Sequence, residues 1–183
     1  MKRILFTCSA IIMVTLFSSC GKTARTSENK TAAAENSILQ EKDGTISLKV
    51  EKAELYHDMV NPASNTAEWS VFVSKSGRFN VWLSSATKDT TDLRYNNSVM
   101  LSIRENRIEK RPECDKVFQS STDVSYPYFR ADSFMGSLYI QDTGLYSIQV
   151  ISEKILPKDY KASAEKTEDN SKLLSVFLTP VTR

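Results

Sequence analysis

Residues 43–183 predict an all-β fold, an antiparallel β-sandwich. Three observations point there. About seven short runs alternate apolar with polar residues, the number and length expected of sandwich strands. Clusters of Gly, Ser, Asp and Lys separate several of these runs and read as turns. No stretch sustains the 3.6-residue periodicity of an amphipathic helix, and no segment repeats at a fixed length.

The strands can be taken in order. Ile46, Leu48 and Val50 alternate with polar residues and open the domain. Trp69, Val71 and Val73 form a second set. Ser74-Lys75-Ser76-Gly77-Arg78 then reads as a Gly-containing hairpin turn leading into Phe79, Val81 and Leu83. That hairpin would set Val73 opposite Phe79, Val71 opposite Val81 and Trp69 opposite Leu83. Its other face would carry Phe72 and Trp82 as diagonal neighbours, with Asn80 beside them. Val99, Leu101 and Ile103 make the next set. Leu138 and Ile140 are joined to Tyr146, Ile148 and Val150 by Gln141-Asp142-Thr143-Gly144, a second predicted hairpin turn. Leu174, Val176 and Leu178 close the chain. Polar loops are expected at Thr87 to Asn97 and at Glu105 to Val124. Lys158 to Lys172, where both charge signs mix, reads as a solvated insertion. Alternation also means that one side of each sheet packs inward and the other meets solvent or a ligand.

The N-terminus is of another kind. Met1-Lys2-Arg3 is a short basic start, and Ile4 to Phe17 is an apolar run too short to span a bilayer. Ser18 and Ser19 put small side chains before Cys20, as a signal peptidase requires. Phe17-Ser18-Ser19-Cys20 resembles the lipobox of bacterial lipoproteins, although Phe17 stands where Leu is usual and Leu16 lies one place early. The resemblance implies cleavage after residue 19 and lipid on the Cys20 sulfur and amine. Each buried methylene contributes about 0.8 kcal/mol, so two or three acyl chains anchor firmly. Gly21 in place of Asp favours the outer membrane by analogy with that family. Residues 20–42 are small, polar and free of aromatics, and read as a flexible tether with a transient helix over Thr31 to Gln40.

Charge excludes more than it assigns. The chain has 24 basic and 22 acidic residues. Lys2 and Arg3 leave with the signal, so the mature charges balance. A balanced surface offers no footprint for nucleic acid. Of three cysteines, Cys8 is lost with the signal and Cys20 carries lipid, leaving Cys114 as a half-exposed loop thiol. No intramolecular disulfide and no cysteine zinc cluster follow.

The strand segments carry a second resemblance. Ala67-Glu68-Trp69, Ser76-Gly77-Arg78-Phe79-Asn80-Val81-Trp82-Leu83, Met135-Gly136-Ser137-Leu138-Tyr139-Ile140, Thr143-Gly144-Leu145-Tyr146-Ser147-Ile148 and Leu174-Ser175-Val176-Phe177-Leu178-Thr179-Pro180 look, in that order, like the galactose-binding-like jelly roll. That sandwich serves many carbohydrate-binding modules and accessory domains of glycosidases such as α-L-fucosidases. The likeness spans roughly residues 45–181 and implies glycan binding without catalysis. Two departures stand out. The Trp usual before the family's central hairpin is replaced by Tyr126, Tyr128 or Phe129. No acidic pair marks the first strand, so the structural calcium of several such modules is not supported, and no other cofactor is expected.

No catalytic constellation is evident. His57 is the only histidine, with Asp58 next to it and so on the opposite side of a strand; it reads as a surface residue. Asp89, Asp92, Asp123, Asp132 and Asp142 are explained mainly by turns and caps. Binding is the stronger expectation, because sugar rings stack on aromatic faces. The first candidate platform is Phe72 and Trp82 beside Asn80. The second is Tyr126-Pro127-Tyr128-Phe129-Arg130, in which Arg130 would reach ligand hydroxyls; Tyr95 is a weaker third. Phe134, Tyr139 and Tyr146 are assigned to packing. The sequence therefore predicts a non-enzymatic outer-membrane lipoprotein that binds glycan. The competing expectation is a structural or assembly lipoprotein whose aromatic face docks an envelope protein.

Overall fold

A computed structural model describes residues 37–156 and 171–181. The signal peptide, Cys20, most of the expected tether and nearly all of the Lys158 to Lys172 insertion lie outside these residues. Among the described residues there are eleven strands: β1 (Ile38–Leu39), β2 (Ile46–Lys49), β3 (Glu54–Tyr56), β4 (Thr66–Val73), β5 (Gly77–Thr87), β6 (Val99–Ile103), β7 (Asn106–Lys110), β8 (Lys116–Phe118), β9 (Phe129–Ile140), β10 (Gly144–Ile151) and β11 (Lys172–Pro180). They form two stacked sheets. The first runs β1-β4-β10-β6-β7, with β3 also paired to β4; the second runs β2-β11-β5-β9-β8. All pairings are antiparallel except β1 with β4. The β-sandwich read from the sequence is the fold of the chain.

The alternation places the core as expected. Trp69, Val71 and Val73 of the first sheet are buried, as are Phe79, Val81 and Leu83 of the second. Ile46, Leu48, Leu101, Ile103, Ile140, Ile148 and Leu178 complete the layer between the sheets. Trp69 also donates its indole Nε1–H to the carbonyl of Lys49 at 2.9 Å, which satisfies the one polar group it carries inward.

The two predicted hairpins are crossovers. Val73 pairs with Gly144 and Gly77 with Ile140, so β4 and β5 belong to different sheets. Residues 141–143 likewise carry the chain from β9 in the second sheet to β10 in the first. Gln40 accounts for part of this. Its Oε1 accepts from the amides of Ser74 and Lys75 and from the Ser74 hydroxyl, at 2.7 to 3.1 Å, while its Nε2 donates to the Gly44 carbonyl. The connection is thus fastened to the β1–β2 segment and not closed on itself. The β4 and β5 core sets both point inward, but from opposite sheets.

Other expectations are corrected. Ile38 and Leu39, assigned to the tether and its transient helix, pair with Val71 and Phe72. The stretch Glu105 to Val124 is not one loop: it contains β7 and β8. Val50 starts a 3-10 turn instead of ending a strand. A bulge between Leu173 and Ser175 shifts β11 by one residue, so Leu173 is buried in place of Leu174. A second bulge in β9 sets Phe134 against Trp82 and Gly136 against Val81. Gly136 has φ 141°, a conformation that side-chain-bearing residues rarely adopt.

Candidate functional site

The outer side of the second sheet is out of phase with the core. On β5, half-buried Asn80 and Trp82 face outward, alternating with buried Phe79, Val81 and Leu83, and Ser84, next in phase, is buried beside Asp132. Phe134, Asp132 and Arg130 of β9, Phe177 of β11 and Lys116 and Phe118 of β8 lie on the same side. Trp82 and Phe177 stand parallel, 5° apart with centroids at 6.3 Å, and Phe134 tilts against Trp82 at 5.2 Å. The ammonium of Lys116 sits 4.0 Å from the Trp82 ring centroid. Asn80 accepts from the Ser137 hydroxyl at 2.7 Å.

Arg130 organises one end of this face. Its Nε and Nη2 donate to the two carboxylate oxygens of Asp132, each at 2.9 Å. Nε also reaches Ser84 Oγ at 3.1 Å, and Nη1 reaches Asp123 at 3.0 Å. Ser84 donates to Asp132 as well. Asp132 is 3 % exposed, so this bidentate partner is what makes a buried carboxylate tolerable. The same hydrogen bonds hold the Arg130 guanidinium above its ordinary pKa. The guanidinium is therefore turned to the protein's own acids, and its central carbon lies 4.9 Å from the Phe118 ring centroid.

Asp123 belongs to the loop between β8 and β9, which Arg130 thereby ties to the sheet. This loop encloses a cleft of about 370 Å³ lined by Gln119, Ser120, Ser121, Thr122, Val124, Tyr126, Tyr128 and Phe129. Tyr126 is 92 % exposed at its mouth, next to a cis peptide bond to Pro127. Tyr128 is half-buried, with the Lys88 ammonium 5.2 Å from its ring. Aromatic rings thus meet an amide and three hydroxyls in one open recess.

The predicted site residues therefore divide. Trp82, Asn80 and Arg130 share the outer face of the second sheet, and Tyr126 and Tyr128 border the adjoining cleft. Phe72 is not with them. It lies on the outer side of the first sheet, opposite Leu145 and Leu39 on the neighbouring strands, because the expected hairpin is a crossover. Those three side chains are 41 %, 38 % and 65 % exposed and form an apolar row. Tyr95 is core, with its hydroxyl bonded to Ser85 at 2.8 Å. Tyr139 is exposed on the second sheet and Phe134 lines its outer face, whereas Tyr146 is packed inside as expected. His57 is half-buried, and both its ring nitrogens are enclosed with no hydrogen-bond partner among the described residues. Sequence reasoning missed Phe177 and Lys116. Phe177 was legible from its phase between Val176 and Leu178; Lys116 was hidden in a stretch read as loop. No group of three or more His, Cys, Asp or Glu comes together among the described residues in a way that would hold a metal.

No family model matches the sequence, and no curated protein matches it. Solved structures do. An α-L-fucosidase from Vibrio sp. strain EJY3 aligns at a TM-score of 0.60 with 21% identity, over 79% of this chain and 24% of that one. A GH26-CBM35 β-(1,4)-mannanase from Podospora anserina aligns at 0.45 with 10% identity, over 78% and 29%. CBM35 of Abf62 from Cellvibrio japonicus aligns at 0.37 with 12% identity, over 75% and 94%. The chain thus spans about a quarter of the two enzyme chains. The likeness to part of the fucosidase establishes the β-sandwich as a known fold.

Proposed function

We propose that the chain is a non-catalytic outer-membrane lipoprotein, anchored through Cys20, whose sandwich binds glycan in the β8–β9 loop cleft. One observation carries the glycan reading: exposed Tyr126 and half-buried Tyr128 flank a recess of about 370 Å³ that also presents Gln119, Ser120, Ser121 and Thr122. The volume lies in the range of small-ligand sites, and the mixture supplies both flat apolar faces and planar or rotatable polar partners. The anchor is supported by Phe17-Ser18-Ser19-Cys20 following an apolar run behind a basic start. The expected orientation puts the sandwich clear of the lipid on the residues after Cys20.

A glycan array probed with the full chain in detergent tests the reading, followed by calorimetry on any hit. Tyr126→Ala should weaken binding at least about tenfold, because an exposed stacking ring is removed without touching the core. Unchanged binding in that variant, or an array without signal, would overturn the cleft. Cys20→Ser should abolish palmitate labelling and membrane retention; persistence of both would overturn the anchor.

The row Leu39, Phe72 and Leu145 favours a second reading, in which the first sheet docks an envelope protein. Cross-linking in intact envelopes to one stoichiometric partner, lost in Phe72→Ser, is its expected signature.

A further inference from the structure

We infer that the outer face of the second sheet is a separate binding site for a carboxylate-bearing sugar, built from Trp82, Phe177, Lys116 and Lys49. The inference rests on the glycan reading above but uses a different surface and names the ligand's charge. Trp82, Phe177 and Phe134 are each out of phase with the core and each half-buried, so a strip of ring surface remains open. The Trp82 face beneath the Lys116 ammonium is the flat surface that the C–H face of a sugar would stack on.

Charge selects among sugars. Lys116 is exposed and rises from edge strand β8, and its long side chain crosses β9 to lie over the Trp82 ring. No carboxylate pairs with it among the described residues; its one close partner is the indole. The acids bordering this face are already engaged, Asp115 by the Phe134 amide at 2.6 Å. Asp132 takes Nε and Nη2 of Arg130 and the Ser84 hydroxyl, and Asp123 takes Nη1 of Arg130 at 3.0 Å and Lys49 at 4.0 Å. Lys49, Lys116 and Arg130 thus face Asp115, Asp123 and Asp132, so formal charge on this face balances, and Lys116 is set apart by having no carboxylate partner among the described residues. A cation over an exposed ring is a weak contact, and lysine is a flexible point charge. Lys116 is therefore a displaceable cover. When a sugar ring takes its place above Trp82, the ammonium swings to the rim, where a ring carboxylate gives it the anion it lacks.

Calorimetry of the full chain with a galacturonate trisaccharide and with its carboxyl-reduced counterpart tests this. The acidic form should bind about tenfold tighter, and added salt should erode that preference. Lys116→Gln should erase the preference, and Trp82→Ala should abolish binding of the acidic form, with circular dichroism confirming that both variants fold. Equal affinity for the two trisaccharides, or a preference that survives Lys116→Gln, would overturn the inference. The cleft is scored independently, by Tyr126→Ala on neutral glycans. An acid preference that depends on Lys116, with no effect of Tyr126→Ala on neutral glycans, sinks the cleft alone. The reverse result sinks this site alone.

Discussion

Arg130→Met separates a positioning role from a ligand-contacting one. The substitution keeps most of the apolar stem and removes the guanidinium, with its contact on the Phe118 ring. Asp132, 3 % exposed, then loses both charge-assisted donors and keeps only Ser84. Breaking a fully buried pair from one side costs about 3–5 kcal/mol. The Arg130 side chain is 26 % exposed, so water recovers part of that, and a loss of about 2–3 kcal/mol is expected. For a domain of this size, that lowers Tm by roughly 6–10 °C. Urea unfolding followed by tryptophan fluorescence gives the number, with m unchanged if the native state stays compact. Asp132→Asn supplies the second arm of a cycle, and the pair should couple by more than about 1 kcal/mol. Amide exchange over residues 119–128 should rise as well, since Asp123 loses its tie to the sheet. A loss below about 0.5 kcal/mol, or additive single variants, would refute the reasoning and return Arg130 to the role of a free ligand contact.

Two further outcomes follow from burial and titration. Trp69→Ala should cost about 3–5 kcal/mol in chemical unfolding and Trp82→Ala less than about 2, because only Trp69 fills the layer between the sheets; equal losses would place Trp82 in the core. Asp89 is held down to about 2 from 3.8 by the Thr91 hydroxyl and by the Thr91 and Asp92 amides. A depressed carboxylate stabilises the fold above its unfolded value and loses that contribution as pH falls through the folded one. The Thr91 amide resonance should therefore titrate with a midpoint near 2 and be steady above pH 4; a midpoint near 3.8 would show that the turn is not formed.

Much of the architecture is legible because burial in a sandwich has period two. Ile46 and Leu48, Trp69 to Val73, Phe79 to Leu83, Val99 to Ile103 and Tyr146 to Val150 each announce their inward side without knowledge of the partner strand. What alternation cannot give is which sheet a strand joins. A turn such as Ser74 to Arg78 serves a hairpin or a crossover equally well. Part of the difference is made by Gln40, more than thirty residues earlier, whose side chain takes up the donors of Ser74 and Lys75. Bulges are hidden for a related reason. At Leu173-Leu174 two apolar residues compete for one inward position, and only the partner strand decides between them.

That same ambiguity decides which aromatic residues can share a ligand. A core-facing set keeps its meaning whether two strands pair or face each other across the core, because either way the inward side chains are buried. The outward set does not. Side by side, Phe72 and Trp82 would form one platform; across the sandwich, they sit on opposite surfaces about two side-chain layers and two backbones apart. Trp82 acquires instead the neighbours that its own sheet supplies: Phe177 in register on β11, Phe134 at the β9 bulge, and Lys116 from an edge strand that sequence polarity had disguised. Phe72 acquires Leu39 and Leu145, an apolar row one register step from the exposed Ser70–Ser147 pair on the same face. One predicted site thus becomes two surfaces of different chemistry. The polar, cation-bearing face suits a hydrated and charged ligand, and the apolar row suits a partner that brings its own side chains.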